Sequence, residues 1–131
     1  MLDLSLEGKR AVVTGASLGI GEAVVKMLSD HGASVTFCAR NKDSIKNLSD
    51  YKSESPDSKI KGLIADMSDA KSTENFIKET LEDGPIDILV NNVGASPSRN
   101  FLYMSDQDWQ DLHELNLLSA VRCTRSFLPH M

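Results

Sequence analysis

Three glycines in the run TGASLGIG, residues 14–21, have the spacing of a phosphate-binding turn. Gly15 permits a tight turn with positive φ, a conformation that most other residues avoid. Gly19 and Gly21 lack side chains, so backbone amides can approach a diphosphate and the following helix can pack closely. The first amides of that helix have no partner within it, and the helix dipole favours an anion there. The run therefore predicts a nucleotide-binding site, with a plain turn as the alternative.

The elements that must position this turn follow an alternating pattern. Short apolar runs predict strands at residues 10–14, 34–39, 59–65 and 86–90. Amphipathic runs predict helices after Ile20, around Ile45 and Leu48, at residues 68–82, and from Ser105 to about Leu128. The glycine-rich run lies where the first strand meets the first helix, which is the context that a dinucleotide site requires. This alternation predicts an α/β fold, a doubly wound parallel sheet of the Rossmann type with right-handed crossovers.

Two of the helices carry more specific expectations. Apolar residues of the first helix are predicted to share one face: Ile20, Ala23, Val24, Met27 and Leu28. In the last helix, Ser105 and Asp108 have the spacing of a capping box. Trp109, Leu112 and Asn116 lie at i, i+3 and i+7, so we expect Asn116 to point inward and to have a hydrogen-bond partner.

Composition excludes several classes of function. The 131 residues fit one domain, and 14 Lys and Arg against 19 Asp and Glu give a net charge of −5. That charge argues against a nucleic-acid partner or an anionic membrane surface. Two cysteines are too few for a zinc cluster or a disulfide framework, and the histidines lack metal-ligand spacing. With no signal-peptide pattern and no long apolar run, we expect a cytoplasmic protein that binds no metal and no membrane.

Four ordered motifs resemble the short-chain dehydrogenase/reductase family, from about residue 6 to residue 131. TGASLGIG resembles the family's TGxxxGxG, and NNVG at residues 91–94 resembles NNAG with Val93 in place of alanine. Asp66 matches the adenine-contacting aspartate, and Trp109 followed by Asn116 resembles the stretch that carries the active-site asparagine. The resemblance implies the strand order 3-2-1-4, with ligands bound at the switch point between strands 1 and 4.

The resemblance also implies which residues serve the site. It assigns cofactor binding to twelve residues: Gly15, Ser17, Leu18, Gly19, Ile20, Gly21, Arg40, Asp66, Met67, Asn92, Val93 and Gly94. It gives Asn116 a catalytic role, holding a water molecule in a proton relay. From the residues alone, three alternatives stay open. In the first, Asp66 serves only as a favourable charge at the N-terminus of a helix. In the second, Asn91 and Asn92 serve only to form a turn after the strand. In the third, Asn116 serves only to hydrogen-bond the backbone at a helix kink.

The cofactor predicted from the end of the second strand is NADP(H) rather than NAD(H). An acidic residue about 20 positions beyond the glycines binds the ribose 2′-hydroxyl of NAD, but here Ala39 is followed by Arg40. The guanidinium of Arg40 can hold a 2′-phosphate. The alternative is that Arg40 is a solvated surface residue. Leu18 departs from the basic residue that many NADP-preferring relatives carry at this position.

The residues that carry the family's chemistry are not found in this sequence. The family uses Tyr-x-x-x-Lys, in which the lysine lowers the pKa of the tyrosine that acts as general acid and base. Tyr51 is followed four residues later by Ser55, and Tyr103 by Gln107. We therefore expect residues 1–131 to form an incomplete NAD(P)-binding Rossmann domain, a fragment without activity of its own.

Three hypotheses of function stay open. The first is the NADP(H)-binding part of an oxidoreductase that transfers hydride between the nicotinamide and a small carbonyl or alcohol substrate. The second is a non-catalytic dinucleotide-binding or assembly module. The third is another Rossmann-like protein such as a methyltransferase, against which the NNVG motif argues. We also expect a homo-oligomer, formed through the edge of the fourth strand or through the last helix, which is apolar over a wide arc.

Overall fold

Strands and helices alternate along the chain in the predicted order. The computed structural model describes residues 2–131, and Met1 lies outside them. The strands and the helices between them are β1 (Arg10–Val13), α1 (Gly19–Asp30), β2 (Ser34–Ala39), α2 (Lys42–Ser49), β3 (Ile60–Ile64), α3 (Ala70–Glu82) and β4 (Ile88–Val90). After a 3₁₀ turn at Phe101–Tyr103 come α4 (Asp106–His113), a π-helical turn (Glu114–Leu118), α5 (Ser119–Phe127) and a 3₁₀ turn at Leu128–His130.

The four strands found among residues 2–131 form one parallel sheet in the order β3-β2-β1-β4, as predicted. In β1, Val12 pairs with Thr36 of β2 on one side and with Leu89 of β4 on the other. The two faces of β1 pack into different cores, because successive side chains point to opposite sides. Val12 lies with Phe76 and Phe127 in one core. Ala11 and Val13 lie with Val25 and Leu48 in the other, so helices cover both faces of the sheet.

The strand bounds differ from the prediction at their ends. β4 begins at Ile88 rather than at residue 86, although Ile86 is still buried, at 2% exposure, in the core beside Phe127. The chain enters β4 through the amide of Asp87, which donates to the carbonyl of Arg10 at 2.8 Å. Residue 86 therefore packs as a core residue without pairing as part of the strand.

The prediction for the inner face of α1 is correct for Val24 and Leu28, which pack against the core, but the fully buried positions lie one residue further along the helix. The buried positions are Gly21, Val25 and Ser29, whereas Ile20 and Met27 are exposed. Ser29 can be buried because its hydroxyl lies 2.7 Å from that of Ser58, which satisfies its hydrogen bonding. The sequence analysis considered only apolar residues, so it did not include the buried Gly21 and Ser29. It therefore favoured the stripe that contains Ile20 and Met27.

The last predicted helix is continuous but not uniform. Its capping box is confirmed, because the amide of Asp108 donates to Ser105 Oγ and the amide of Ser105 donates to Asp108 Oδ2. The π-helical turn at Glu114–Leu118 separates α4 from α5. Phe127 is fully buried, while Leu117, Val121 and Leu128 are exposed. The wide apolar arc therefore consists of one core face and one surface face.

Candidate coenzyme site

The glycine-rich turn has the backbone conformation that its residues predict. Gly15 and Gly19 have φ values of 68° and 63°, in the left-handed region. A Cβ at Gly21 would lie 2.5 Å from Asn92 Nδ2 and 2.6 Å from the carbonyl oxygen of Gly15. Only glycine allows α1 to approach the strand ends this closely. Leu18, at the N-cap, makes no side-chain cap, so the first amides of α1 stay free for a ligand.

Thr14 joins the glycine-rich turn to the segment after β4. Its hydroxyl accepts hydrogen bonds from the amides of Asn92 and Val93, at 3.1 and 3.2 Å. A second hydrogen bond joins the same two segments, because the side-chain amide of Asn92 donates to the carbonyl of Gly15 at 2.9 Å. Thr14 is 2% exposed. The sequence analysis missed this role, and the signal for it was a polar residue ending an apolar strand.

These segments surround one cleft at the carboxyl ends of the strands. It has a volume of about 330 Å³. Eleven of the twelve predicted cofactor-binding residues line it: Gly15, Ser17, Leu18, Ile20, Gly21, Arg40, Asp66, Met67, Asn92, Val93 and Gly94. Gly19 does not line the cleft, and a Cβ placed on it would meet nothing within 4 Å. Its contribution is the positive φ of the turn.

Four lining residues escaped the sequence analysis: Cys38, Ala65, Ala95 and Leu115. Cys38 and Ala65 lie at or just after the ends of β2 and β3. The rule that ligands bind at the carboxyl ends of parallel strands could have found them. Burial raises the pKa of the Cys38 thiol to about 11, so the thiol is protonated and inert at neutral pH.

Arg40 and Asp66 occupy the end of the cleft beyond β2 and β3. Both are exposed. Asp66 Oδ1 accepts hydrogen bonds from the hydroxyl and the amide of Ser68, at 2.6 and 3.0 Å. These bonds, with a smaller effect from the charge of Arg40, lower the pKa of Asp66 below its usual value. The cap of α3 is Asp69 rather than Asp66, which leaves the second carboxylate oxygen of Asp66 free for a ligand.

Asn116 is exposed, contrary to the expectation that it points inward. It lies in the π-helical turn, where its Oδ1 accepts from the amide of Ala95 at 2.7 Å. Its Nδ2 donates to the carbonyl of Ala95 at 2.8 Å. The expected partner is therefore present, and it is backbone next to the cleft. The helical spacing misjudged the face because Trp109 is itself 48% exposed and stacks edge-on against Phe101.

The remaining candidate groups lie away from the cleft. The hydroxyl of Tyr51 donates to Asp30 at 2.9 Å, and Tyr103 is exposed on the 3₁₀ turn. Among residues 2–131, no cluster of three or more His, Cys, Asp or Glu side chains could hold a metal ion. In the same part of the chain, no helix combines the length and the apolarity needed to cross a bilayer.

Comparison with known proteins agrees with this geometry. The family model described as short chain dehydrogenase matches residues 9–131. The chain belongs to the short-chain dehydrogenase family. It is 37% identical to the uncharacterized oxidoreductase YvrD of Bacillus subtilis, covering 99% of this chain and 49% of that protein. It is 38% identical to the 3-oxoacyl-[acyl-carrier-protein] reductase FabG of Salmonella typhimurium, covering 98% of this chain and 51% of the reductase.

A solved structure has nearly the same backbone over half of its own length. The L-sorbose reductase of Gluconobacter frateurii, in complex with NADPH and L-sorbose, superposes with a TM-score of 0.92 at 29% identity. The match covers 99% of this chain and 50% of the reductase. The chain thus spans about half the length of the relatives that it matches.

Proposed function

We propose that this chain is the NADP(H)-binding part of a short-chain dehydrogenase/reductase that transfers hydride between the nicotinamide and a carbonyl or alcohol substrate. The observation that carries the proposal is the convergence of eleven predicted residues on one cleft at the switch point between β1 and β4. Membership of an oxidoreductase family and the NADPH bound to a close structural neighbour support it.

The residues present fit a dinucleotide. The turn offers free amides at the start of α1. Because Gly15 and Gly21 have no Cβ, the turn, α1 and the segment after β4 can pack closely together around these amides. A Cβ at Gly94 would lie 3.1 Å from Asn116 Oδ1, so the absence of a side chain there lets Asn116 lie close to this segment. The coenzyme would supply the hydride. The chain's own residues would bind the diphosphate and the adenosine.

The preference for NADP(H) over NAD(H) rests on Arg40. Ala39, at the end of β2, is 5% exposed and carries no carboxylate to hold a ribose diol. Arg40 follows it, is exposed and lines the cleft. A guanidinium pairs with the two oxygens of a phosphate more strongly than with a hydroxyl. Asp66, just after the neighbouring strand, would accept a hydrogen bond from the adenine amino group.

Titration calorimetry with NADPH and NADH tests this preference. We expect NADPH to bind more tightly than NADH, and Arg40→Ala to weaken NADPH binding about tenfold without changing NADH binding, because one charge-assisted bidentate contact is lost. Lys42→Ala is the matched control, since Lys42 is an exposed cation two residues away that does not line the cleft. Equal affinities for the two coenzymes, or no loss on Arg40→Ala, would contradict the proposal.

Catalysis needs residues that this chain does not carry. Neither Tyr51 nor Tyr103 begins a Tyr-x-x-x-Lys motif, and neither lines the cleft. Asn116, held by Ala95, would act in the proton relay of the complete site. We expect the isolated chain to bind NADPH without reducing ketones; NADPH oxidation that depends on an added ketone would contradict this expectation.

Self-association through α5 or the edge of β4 is part of the proposal. Within residues 2–131, β4 pairs only with β1, so its other edge has unpaired backbone groups. Leu117 in the π-helical turn, Val121 in α5 and Leu128 in the 3₁₀ turn after it form an exposed apolar stripe along the end of the chain's last helix. If a second copy of the chain packed on the β4 edge or on the apolar stripe, that surface would be removed from water.

A further inference from the structure

A groove between α3 and α5 lies outside the coenzyme cleft. Its volume is about 320 Å³. From α5 it is lined by Arg122, Arg125 and Ser126, and from α3 by residues that include Thr73 and Glu74. None of these residues lines the coenzyme cleft. The groove therefore needs an explanation separate from the proposed function.

Only one of the two terminal nitrogens of the Arg122 guanidinium has a partner within the protein. Its Nη2 lies 2.8 Å from Glu114 Oε2, and its side chain is 20% exposed. Its Nη1 is buried and has no hydrogen-bond partner, alone in this respect among the side-chain atoms of residues 2–131. A buried charged donor without an acceptor is costly, and such donors are normally paired. Glu114 fixes one side of the guanidinium. Nη1, on the other side, is covered, although the Arg122 side chain lines the groove.

The charge of the groove is positive, although the chain is acidic. Arg125 has no carboxylate within ion-pairing distance in the described part of the chain. Residues 115–131 contain no Asp or Glu, in a chain whose net charge is −5. The one acid of the groove, Glu74, is paired with Lys71 at 2.9 Å. Two arginines and Ser126 thus line the groove, and its one acid is already paired.

We propose that this groove binds a small oxyanion, a phosphate or carboxylate group. The guanidinium of Arg122 would turn its unpartnered Nη1 towards the anion from the wall, and Arg125 would donate from the exposed rim. Two guanidinium groups and a hydroxyl suit a group with several acceptor oxygens. Glu114 holds Arg122 in place before the anion arrives, which reduces the entropy lost on binding.

Nuclear magnetic resonance of the arginine side chains tests the proposal directly. Inorganic phosphate and acetate are titrated separately into the ¹⁵N-labelled chain at constant ionic strength. We expect saturable shifts of the Nε–Hε signals of Arg122 and Arg125 with at least one of the two anions. Shifts at the amides of residues 15–21 would report anion binding in the coenzyme cleft. Because the two sets of signals are measured separately, a failure of the groove proposal can be distinguished from a failure of the proposed coenzyme site.

Variants assign the binding to the groove. Arg122→Met is expected to abolish the saturable shifts. Arg125→Met, at an exposed residue without an ion pair in the described part of the chain, is expected to weaken them about fivefold or more. Arg99→Met is the matched control, because Arg99 is exposed and lies outside the groove. The proposal would be overturned if the shifts rose linearly with anion concentration and were equal in Arg125→Met and Arg99→Met. So would shifts that follow protein concentration without added anion, since they would mean that a second copy fills the groove.

Discussion

At the scale of the residue, Thr14 connects the two halves of the coenzyme site. One hydroxyl accepts from two consecutive amides, those of Asn92 and Val93. The cleft has its shape only while the segment after β4 stays against the glycine-rich turn. Thr14 therefore couples the stability of the sheet to the geometry of the site.

Replacing Thr14 tests this coupling. Thr14→Val keeps the shape of the side chain but leaves both amides without an acceptor, so we expect the free energy of unfolding to fall by about 2 kcal/mol. NADPH affinity should fall as well. Thr14→Ser keeps the hydroxyl and serves as the control. Urea denaturation measures the difference, and equal stability of the two variants would show that the hydroxyl does not hold the segment.

Single residues were predictable where spacing alone determines them. The positions of Arg40 and Asp66 at strand ends, and the positive φ of Gly15, followed from the order of elements and from the glycine pattern. The buried stripe of α1 did not follow, because Gly21 and Ser29 are buried for reasons of close approach and of pairing with Ser58. Such reasons depend on partners that are distant along the chain.

At the scale of the element, the π-helical turn decides where Asn116 lies. The turn adds a residue to the helix, so the residues beyond it no longer follow the spacing of α4. Asn116 then meets Ala95 with both its donor and its acceptor. The capping box at Ser105 was predictable because it is local. The π turn was not, since nothing in a helical repeat marks it.

Hydrogen exchange at Ala95 tests the contact made by this turn. Asn116→Ala removes the acceptor of the Ala95 amide, so we expect that amide to exchange about tenfold faster or more. Asn91→Ala is the control, because Asn91 also joins the segment after β4 to the last helix, through Thr124 at 3.1 Å. Unchanged protection of the Ala95 amide in Asn116→Ala would show that the contact does not order the loop.

At the scale of the whole molecule, the fold was the most predictable feature. Apolar strands between amphipathic helices predict a parallel sheet covered on both faces, and the two cores on either side of β1 confirm it. The strand order followed from the family resemblance. The pattern does not decide which surface a second copy would cover, because apolar residues of the last helix serve both the core and the surface.

Self-association is tested by sedimentation over a range of concentrations. We expect oligomers whose fraction rises with concentration. Val121→Glu should shift the chain towards the monomer, because a charge would then interrupt the apolar stripe of α5. Met27→Glu, at an exposed residue of α1, is the control. A monomer at every concentration would contradict the proposal. Association unchanged in Val121→Glu would point to the edge of β4.

The central claim is that a dinucleotide's diphosphate rests on the backbone amides at the start of α1. A crystal structure of the chain soaked with NADPH measures this most directly. We predict density for the diphosphate against the amides of residues 17–21, with the 2′-phosphate beside Arg40. Density elsewhere, or a glycine-rich turn without bound coenzyme at a saturating NADPH concentration, would contradict the account.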